Sequence, residues 1–159
     1  VVQGNRINMA QGIFYVLDNI TAEQHVKLLC RVITDGWREQ RSVRVWCADQ
    51  AQAEQLDQAL WQQPADAFVP HNLVGEGPAN GAPVELCWPG AKVSARRTGL
   101  VVNCTDTVIN SSGWTRYIDF VPSAEQARQA ARERYKQLRQ HGVELQTIQA
   151  AEYLSAHSS

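Results

Sequence analysis

Four cations are spaced for joint work near the end of this chain. Arg128, Arg132, Lys136 and Arg139 recur at intervals of three and four residues. At about 100° per residue they fall within about an 80° sector of one helical face. Ala124, Ala127, Ala131 and Leu138 form an apolar stripe beside that sector, and Tyr135 stands at the seam. Arg134 adds a fifth cation, against only Glu125 and Glu133. Cations flanking an apolar seam suit a ligand with an apolar anchor and carboxylates around it. Each charge-assisted hydrogen bond there contributes roughly 1.5–3 kcal/mol where water is partly excluded. A solvated helix face carries the same pattern, and spacing alone does not separate the two.

A second candidate is aromatic. Trp61 falls about 100° around its helix from the stripe of Ala53, Leu56 and Leu60, so it need not face the core. Phe68 follows within a proline-rich stretch. Exposed side by side, the two would make a docking patch of the hot-spot kind. Folded inward, they would form a satellite cluster.

Catalytic and cofactor motifs are harder to find. The turn after the first apolar run reads Asp18-Asn19-Ile20-Thr21, without the glycines that a dinucleotide's pyrophosphate needs. The glycines of Gly75-Glu76-Gly77-Pro78 have the wrong spacing, a repelling carboxylate and a missing amide. His25, His71, His141 and His157 lack metal-ligand spacing, and no cofactor is expected. His71 reads as a loop side chain bonded to backbone. Asp18, Asp49 and Glu85 lie near strand ends, where α/β enzymes often place carboxylates. A carboxylate-dependent nuclease or phosphatase is therefore the alternative to a binding protein.

The elements that must position these residues follow from periodicity. Gly12 to Asp18 reads as a buried strand. Thr21 and Gln24 form a capping box for a helix whose stripe is Val26, Leu29, Cys30, Ile33 and Trp37. Ser42 to Cys47 makes a second strand, and Asp49 caps a second helix ending before Pro64. Further strands are expected at Val84–Trp88, Thr98–Cys104 and Arg116–Val121. Pro64 to Pro83 reads as a long ordered loop. The last helix is expected from a second capping box at Ser123 to Gln126, with Gly142 as its stop. Strand and helix alternating in this way imply a three-layer α/β/α domain, Rossmann-like but without a nucleotide-binding loop.

Val1 to Asn8 read as an expression-derived leader before a native start at Met9. Residues 9–142 form the domain, and 143–159 a loosely attached extension. The formal net charge of −1 over 159 residues argues against a globally basic nucleic-acid binder. No run of about 18 apolar residues occurs, so no membrane-spanning helix is expected. The widely spaced Cys30, Cys47, Cys87 and Cys104 read as structural thiols of a reducing cytoplasm.

Several blocks, in order, carry a family resemblance: Phe14-Tyr15-Val16-Leu17-Asp18, Leu56-Asp57-Gln58-Ala59-Leu60-Trp61, Phe68-Val69-Pro70-His71-Asn72-Leu73, Gly75-Glu76-Gly77-Pro78, Ala82-Pro83-Val84-Glu85, Asp119-Phe120-Val121-Pro122 and Ala131-Arg132-Glu133-Arg134-Tyr135-Lys136. Together they resemble the chi subunit of bacterial DNA polymerase III, from about Met9 to Gly142. The resemblance implies a three-layer fold with a mostly parallel, mixed sheet, and a non-enzymatic bridge in DNA replication. Chi proteins join the psi subunit of the clamp loader to the acidic C-terminal tail of single-stranded DNA-binding protein. By that resemblance Arg128, Arg132, Tyr135 and Lys136 would hold the tail, and Val121 would line its apolar end. Family members carry lysine at the position of Arg128. Trp61 and Phe68 match positions of the psi-side surface, which also meets a helicase in some bacteria.

Overall fold

The computed structural model describes residues 10–63, 68–76, 82–93, 97–109 and 113–156. Their frame is a seven-stranded sheet in the order β3-β4-β2-β5-β6-β1-β7. The strands are β1 (Gln11–Val16), β2 (Val43–Trp46), β3 (His71–Leu73), β4 (Val84–Cys87), β5 (Leu100–Asn103), β6 (Arg116–Val121) and β7 (Glu144–Gln149). Every pairing among the described residues is parallel. The α/β class expected from sequence forms, and the mixed character of the sheet gives way to a uniform direction. Four helices complete it: α1 (Ala22–Gln40), α2 (Gln50–Trp61), α3 (Glu125–Gln140) and α4 (Ala150–Ala156).

Alternation along the strands builds two cores. Tyr15, Val43, Val45, Leu100, Val102, Ile118 and Phe120 turn to one face and pack under α1, α2 and α4. Phe14, Val101, Trp114 and Tyr117 turn to the other, where Leu138 of α3 and Val143 close a smaller cluster. Parallel sheets need such cover on both faces. Gly36 lets α1 approach closely, since a Cβ there would stand 2.2 Å from the Leu100 side chain.

Local chemistry sets the helix ends. Thr21 and Gln24 form the capping box, with the Gln24 amide donating to Thr21 Oγ1 at 3.1 Å and the Thr21 amide donating to Gln24 Oε1 at 2.8 Å. Asp49 Oδ1 accepts from the Gln52 amide at 2.8 Å at the head of α2. Gly142, with φ of +86°, follows α3 as its stop. The core stripe of α1 is Leu28, Leu29, Val32 and Ile33. Val26 stands about 90° from the centre of that stripe and is exposed.

Three expectations are corrected. His71–Leu73 is not loop but a short edge strand beside β4, where the preceding Pro70 costs no ladder bond. The segment after Gly142 is not a loose extension. Strand β7 pairs along the whole of β1, and α4 sets Tyr153 edge-on against Tyr15 at 5.2 Å. Ser123 does not cap α3, whose N-cap is Ala124 without a side-chain bond. The presumed leader, Val1 to Asn8, and Met9 lie outside the described residues, as do 64–67 and 77–81 of the expected loop. No helix of the described residues is long and apolar enough to cross a membrane.

Cys30, Cys47 and Cys87 are buried and free. Burial pushes the Cys30 thiol up to about 11 and the Cys47 thiol up to about 12, which makes both poor nucleophiles. His25 is pushed the other way, because burial disfavours its charged form. Its ring meets Phe120 edge-on at 5.7 Å, and its Nε2 is buried without a hydrogen-bond partner. Above the unfolded value of about 6.5, both states are neutral and this residue adds no pH dependence. Below it the unfolded chain takes up the proton first, so stability falls until the folded value is reached. His25→Phe should therefore gain in Tm over the parent chain as pH is lowered from 7 to 5. A pH-independent difference between the two would refute this.

Candidate functional site

The cationic helix is held from below by a buried network. Asp119 of β6 and Arg134 of α3 are both almost fully buried, at 0% and 4% exposure. The guanidinium donates through Nε to Asp119 Oδ2 and through Nη2 to Oδ1, both at 2.9 Å, and through Nη2 to the Phe120 carbonyl at 3.2 Å. The Tyr117 hydroxyl donates to Asp119 Oδ2, and Asn103 Nδ2 donates to the Tyr117 oxygen at 2.8 Å. The second Asn103 amide hydrogen goes to the Thr107 carbonyl. Burial raises the Asp119 carboxyl, while Arg134, Tyr117 and the Phe120 amide hold it back. Of the five cations on α3, Arg134 faces inward with Ala131 and Leu138. That orientation fixes how the outer face is presented.

At the head of α3, Asp18 gathers the chain. Ser123 Oγ donates to Asp18 Oδ1 at 2.9 Å, and Arg128 Nη1 and Nη2 reach its two oxygens at 3.0 and 3.4 Å. The Ser123 hydroxyl and the Arg128 guanidinium hold the Asp18 carboxyl below its ordinary range. Arg128 also donates to the Pro122 carbonyl at 3.4 Å. It is thus partly committed within the molecule, unlike its neighbours down the helix.

Those neighbours are open. Arg132 is exposed and makes one long bond, 3.4 Å, to Gln129 Oε1. Lys136 is exposed and forms no ion pair among the described residues. Tyr135 is half-buried, its ring edge-on to Phe14 at 5.1 Å. Val121, half-buried at the end of β6, packs on the same cluster. A shallow hollow of about 380 Å³ lies between Tyr135, Lys136, Arg139 and Gln140. The seam expected from spacing therefore exists, with its hollow further down the helix than the Arg128 end. Arg139 enters through that hollow.

The aromatic pair resolves outward. Trp61, the last residue of α2, is 58% exposed and Phe68 is 44% exposed. Their rings lie 5.4 Å apart. His71 sits beneath, 4.9 Å from Trp61, with Nδ1 2.8 Å from the Val69 carbonyl and Nε2 3.2 Å from Asp57 Oδ1. The backbone contact is the one expected for His71. The Asp57 contact was not legible, because it depends on how the chain returns from 64–67 to the sheet edge.

The three carboxylates of the enzyme alternative are each engaged structurally. Asp18 holds Arg128, Asp49 caps α2, and Glu85 pairs with Arg44 at 3.2 Å within the sheet. Among the described residues no three His, Cys, Asp or Glu side chains are grouped to hold a metal ion.

Comparison with known proteins identifies the lineage. The family model described as DNA polymerase III chi subunit, HolC, matches residues 9–146. The chain belongs to the DNA polymerase III chi subunit family. It is 43% identical over 143 residues to DNA polymerase III subunit chi of Escherichia coli (strain K12), covering 87% of this chain and 97% of that protein. It is 37% identical over 135 residues to DNA polymerase III subunit chi of Haemophilus influenzae (strain Rd), covering 84% and 93% respectively. Membership places the chain among the polymerase's accessory subunits, in bacterial DNA replication. The C-terminal domain of the DEAD-box protein Dbp5 shares the fold alone, with a TM-score of 0.60 at 12% identity over 88% of this chain and 91% of that one.

Proposed function

We propose that this chi-family chain acts by binding rather than by catalysis. It links the clamp loader, through psi at the Trp61–Phe68 surface, to the acidic C-terminal tail of single-stranded DNA-binding protein at α3. The observation that carries this reading is the open cationic face of α3 beside an apolar seam. Arg132 and Lys136 stand free of carboxylate partners among the described residues, next to the half-buried Tyr135 and Val121. A peptide ending in aspartates and an aromatic residue matches that arrangement in charge and in shape. Its ring would lie against Val121 and Tyr135, and its carboxylates would meet the cations. Arg128 would share its guanidinium between Asp18 and the ligand. The reading assigns no reaction and no cofactor to this chain, and cytoplasmic residence follows from the role.

The test is a calorimetric titration with an acidic peptide that ends in phenylalanine. Arg132→Ala and Lys136→Ala should each weaken binding about tenfold, the scale of one charge-assisted contact at a partly hydrated surface. Both should leave the unfolding transition unchanged, since both side chains are exposed. Added salt should weaken binding further by screening. Unaltered affinity in both variants would remove these residues from the site.

A further inference from the structure

The largest cleft in the molecule lies away from both surfaces. It has a volume of about 750 Å³ and opens at the N-terminal ends of the strands, where Gln11, Arg116 and Glu144 begin β1, β6 and β7. Its floor is sheet, with Ile13 and Ile118 exposing an apolar strip. One wall is the C-terminal half of α1, and the far end is closed by Tyr15 and Tyr153. The cleft exists because α4 is only seven residues long. A helix of that length reaches about 10 Å, too short to cover the sheet face down to the start of β1.

Charge gives the cleft a sign. Asp35 and Glu39 line it from α1 and Glu144 from β7, against Arg116 alone. Arg116 directs Nη1 to the Thr115 carbonyl at 3.3 Å. Asp35 accepts from the Tyr153 hydroxyl at 3.0 Å and pairs with Arg31 at 3.4 Å. Glu39 is exposed and forms no ion pair among the described residues, and Glu144 meets only the Gln11 amide, at 3.5 Å. An apolar floor under a carboxylate rim fits an aliphatic stem with a cationic head, and the tyrosine rings favour the same cation.

The rim continues into an open edge. Strand β7 pairs only with β1 and ends the sheet. Its six residues include one charge, Glu144, and no proline or lysine, so it lacks the devices that usually blunt an edge strand. At the opposite edge, β3 has three residues. A second copy of this chain would bring Glu144 and Glu39 toward their own counterparts, so the charge disfavours self-pairing.

We propose that this cleft and the β7 edge together receive an extended basic segment of another protein. The segment adds as a strand along β7 and places one arginine or lysine over Ile13 and Ile118, its head among Asp35, Glu39 and Glu144. The surface is separate from α3 and from the Trp61 patch, and the inference does not depend on what those bind.

The probe is a capped seven-residue peptide of alternating threonine and valine with a central arginine, set against the same peptide with a central glutamate. Amide chemical shifts of the full chain are followed through each titration. The arginine peptide should bind at least tenfold more tightly, with saturable shifts along β7 and at Ile13, Asp35 and Ile118. The Glu39→Gln/Glu144→Gln double variant should lose that preference and keep its unfolding transition. The proposal is overturned if the arginine peptide gives no saturable shift up to millimolar concentration. It is also overturned if the two peptides bind alike, or if the preference survives in the variant. Concentration-dependent dimerisation through β7 would name a second copy as the occupant and overturn it equally.

Discussion

Arg134→Met should destabilise the domain by about 3–5 kcal/mol, the range seen when one member of a buried ion pair is removed. Asp119 would be left at 0% exposure with its Tyr117 and Phe120 donors but no cation. Three hydrogen bonds would vanish together, including the one to the Phe120 carbonyl. Arg134→Lys should fall between the parent and the methionine variant. An ammonium keeps the charge but cannot bridge both carboxylate oxygens as the guanidinium fork does. Urea denaturation followed by circular dichroism measures all three. A loss below about 1 kcal/mol in the methionine variant would show that Asp119 is protonated in the fold and that the pair is not ionic. The network also joins the loop after β5 to α3, so this substitution should lower acidic-peptide affinity by disturbing the presentation of Arg132 and Lys136.

That network marks the boundary between what the residues disclosed and what only packing could. The sector of α3 cations was readable because helical spacing fixes direction once the helix is granted. Arg134 lies near the edge of the apolar stripe by angle, and its type argued for solvent. Its burial is understandable only with Asp119 opposite, on the α3-facing side of β6. The alternation Tyr117, Asp119, Val121 offered a hint, since it places a carboxylate between two core positions.

Strand β7 failed to show for a different reason. Its two apolar residues, Leu145 and Ile148, are three apart and serve opposite faces of the sheet. They display no period of two, and an edge strand so patterned looks like polar loop. Strand β3 was hidden by Pro70, which excludes a central strand but not an edge one. Ser123 misled because the capping-box spacing is satisfied on paper while its hydroxyl is taken by Asp18 across the sheet. In each case a local rule lost to a partner distant in sequence. The capping boxes and stripes of α1 and α2 had no such competitor, and were legible.

The aromatic patch yields the second large effect. On the proposed reading, Trp61→Ala abolishes co-purification with psi and leaves binding of the acidic peptide intact. The side chain is 58% exposed in the free chain, so its removal should cost the fold less than about 1 kcal/mol. At an interface the same ring would be fully desolvated. Central tryptophans of this kind commonly account for 2 kcal/mol or more, which is about a 30-fold loss of affinity and more than a wash tolerates. Phe68 stacks on Trp61 at 5.4 Å, and both rest on His71. Phe68→Ala should therefore weaken psi binding partly through the tryptophan's freedom to turn, and the double variant should lose less than the sum of the two. The α3 face lies on the opposite side of the sheet from α2, so a change confined to the aromatic patch has no short path to it. Loss of peptide and psi binding together, with a lowered Tm, would mean that Trp61 supports the fold and would take the psi surface away from this patch.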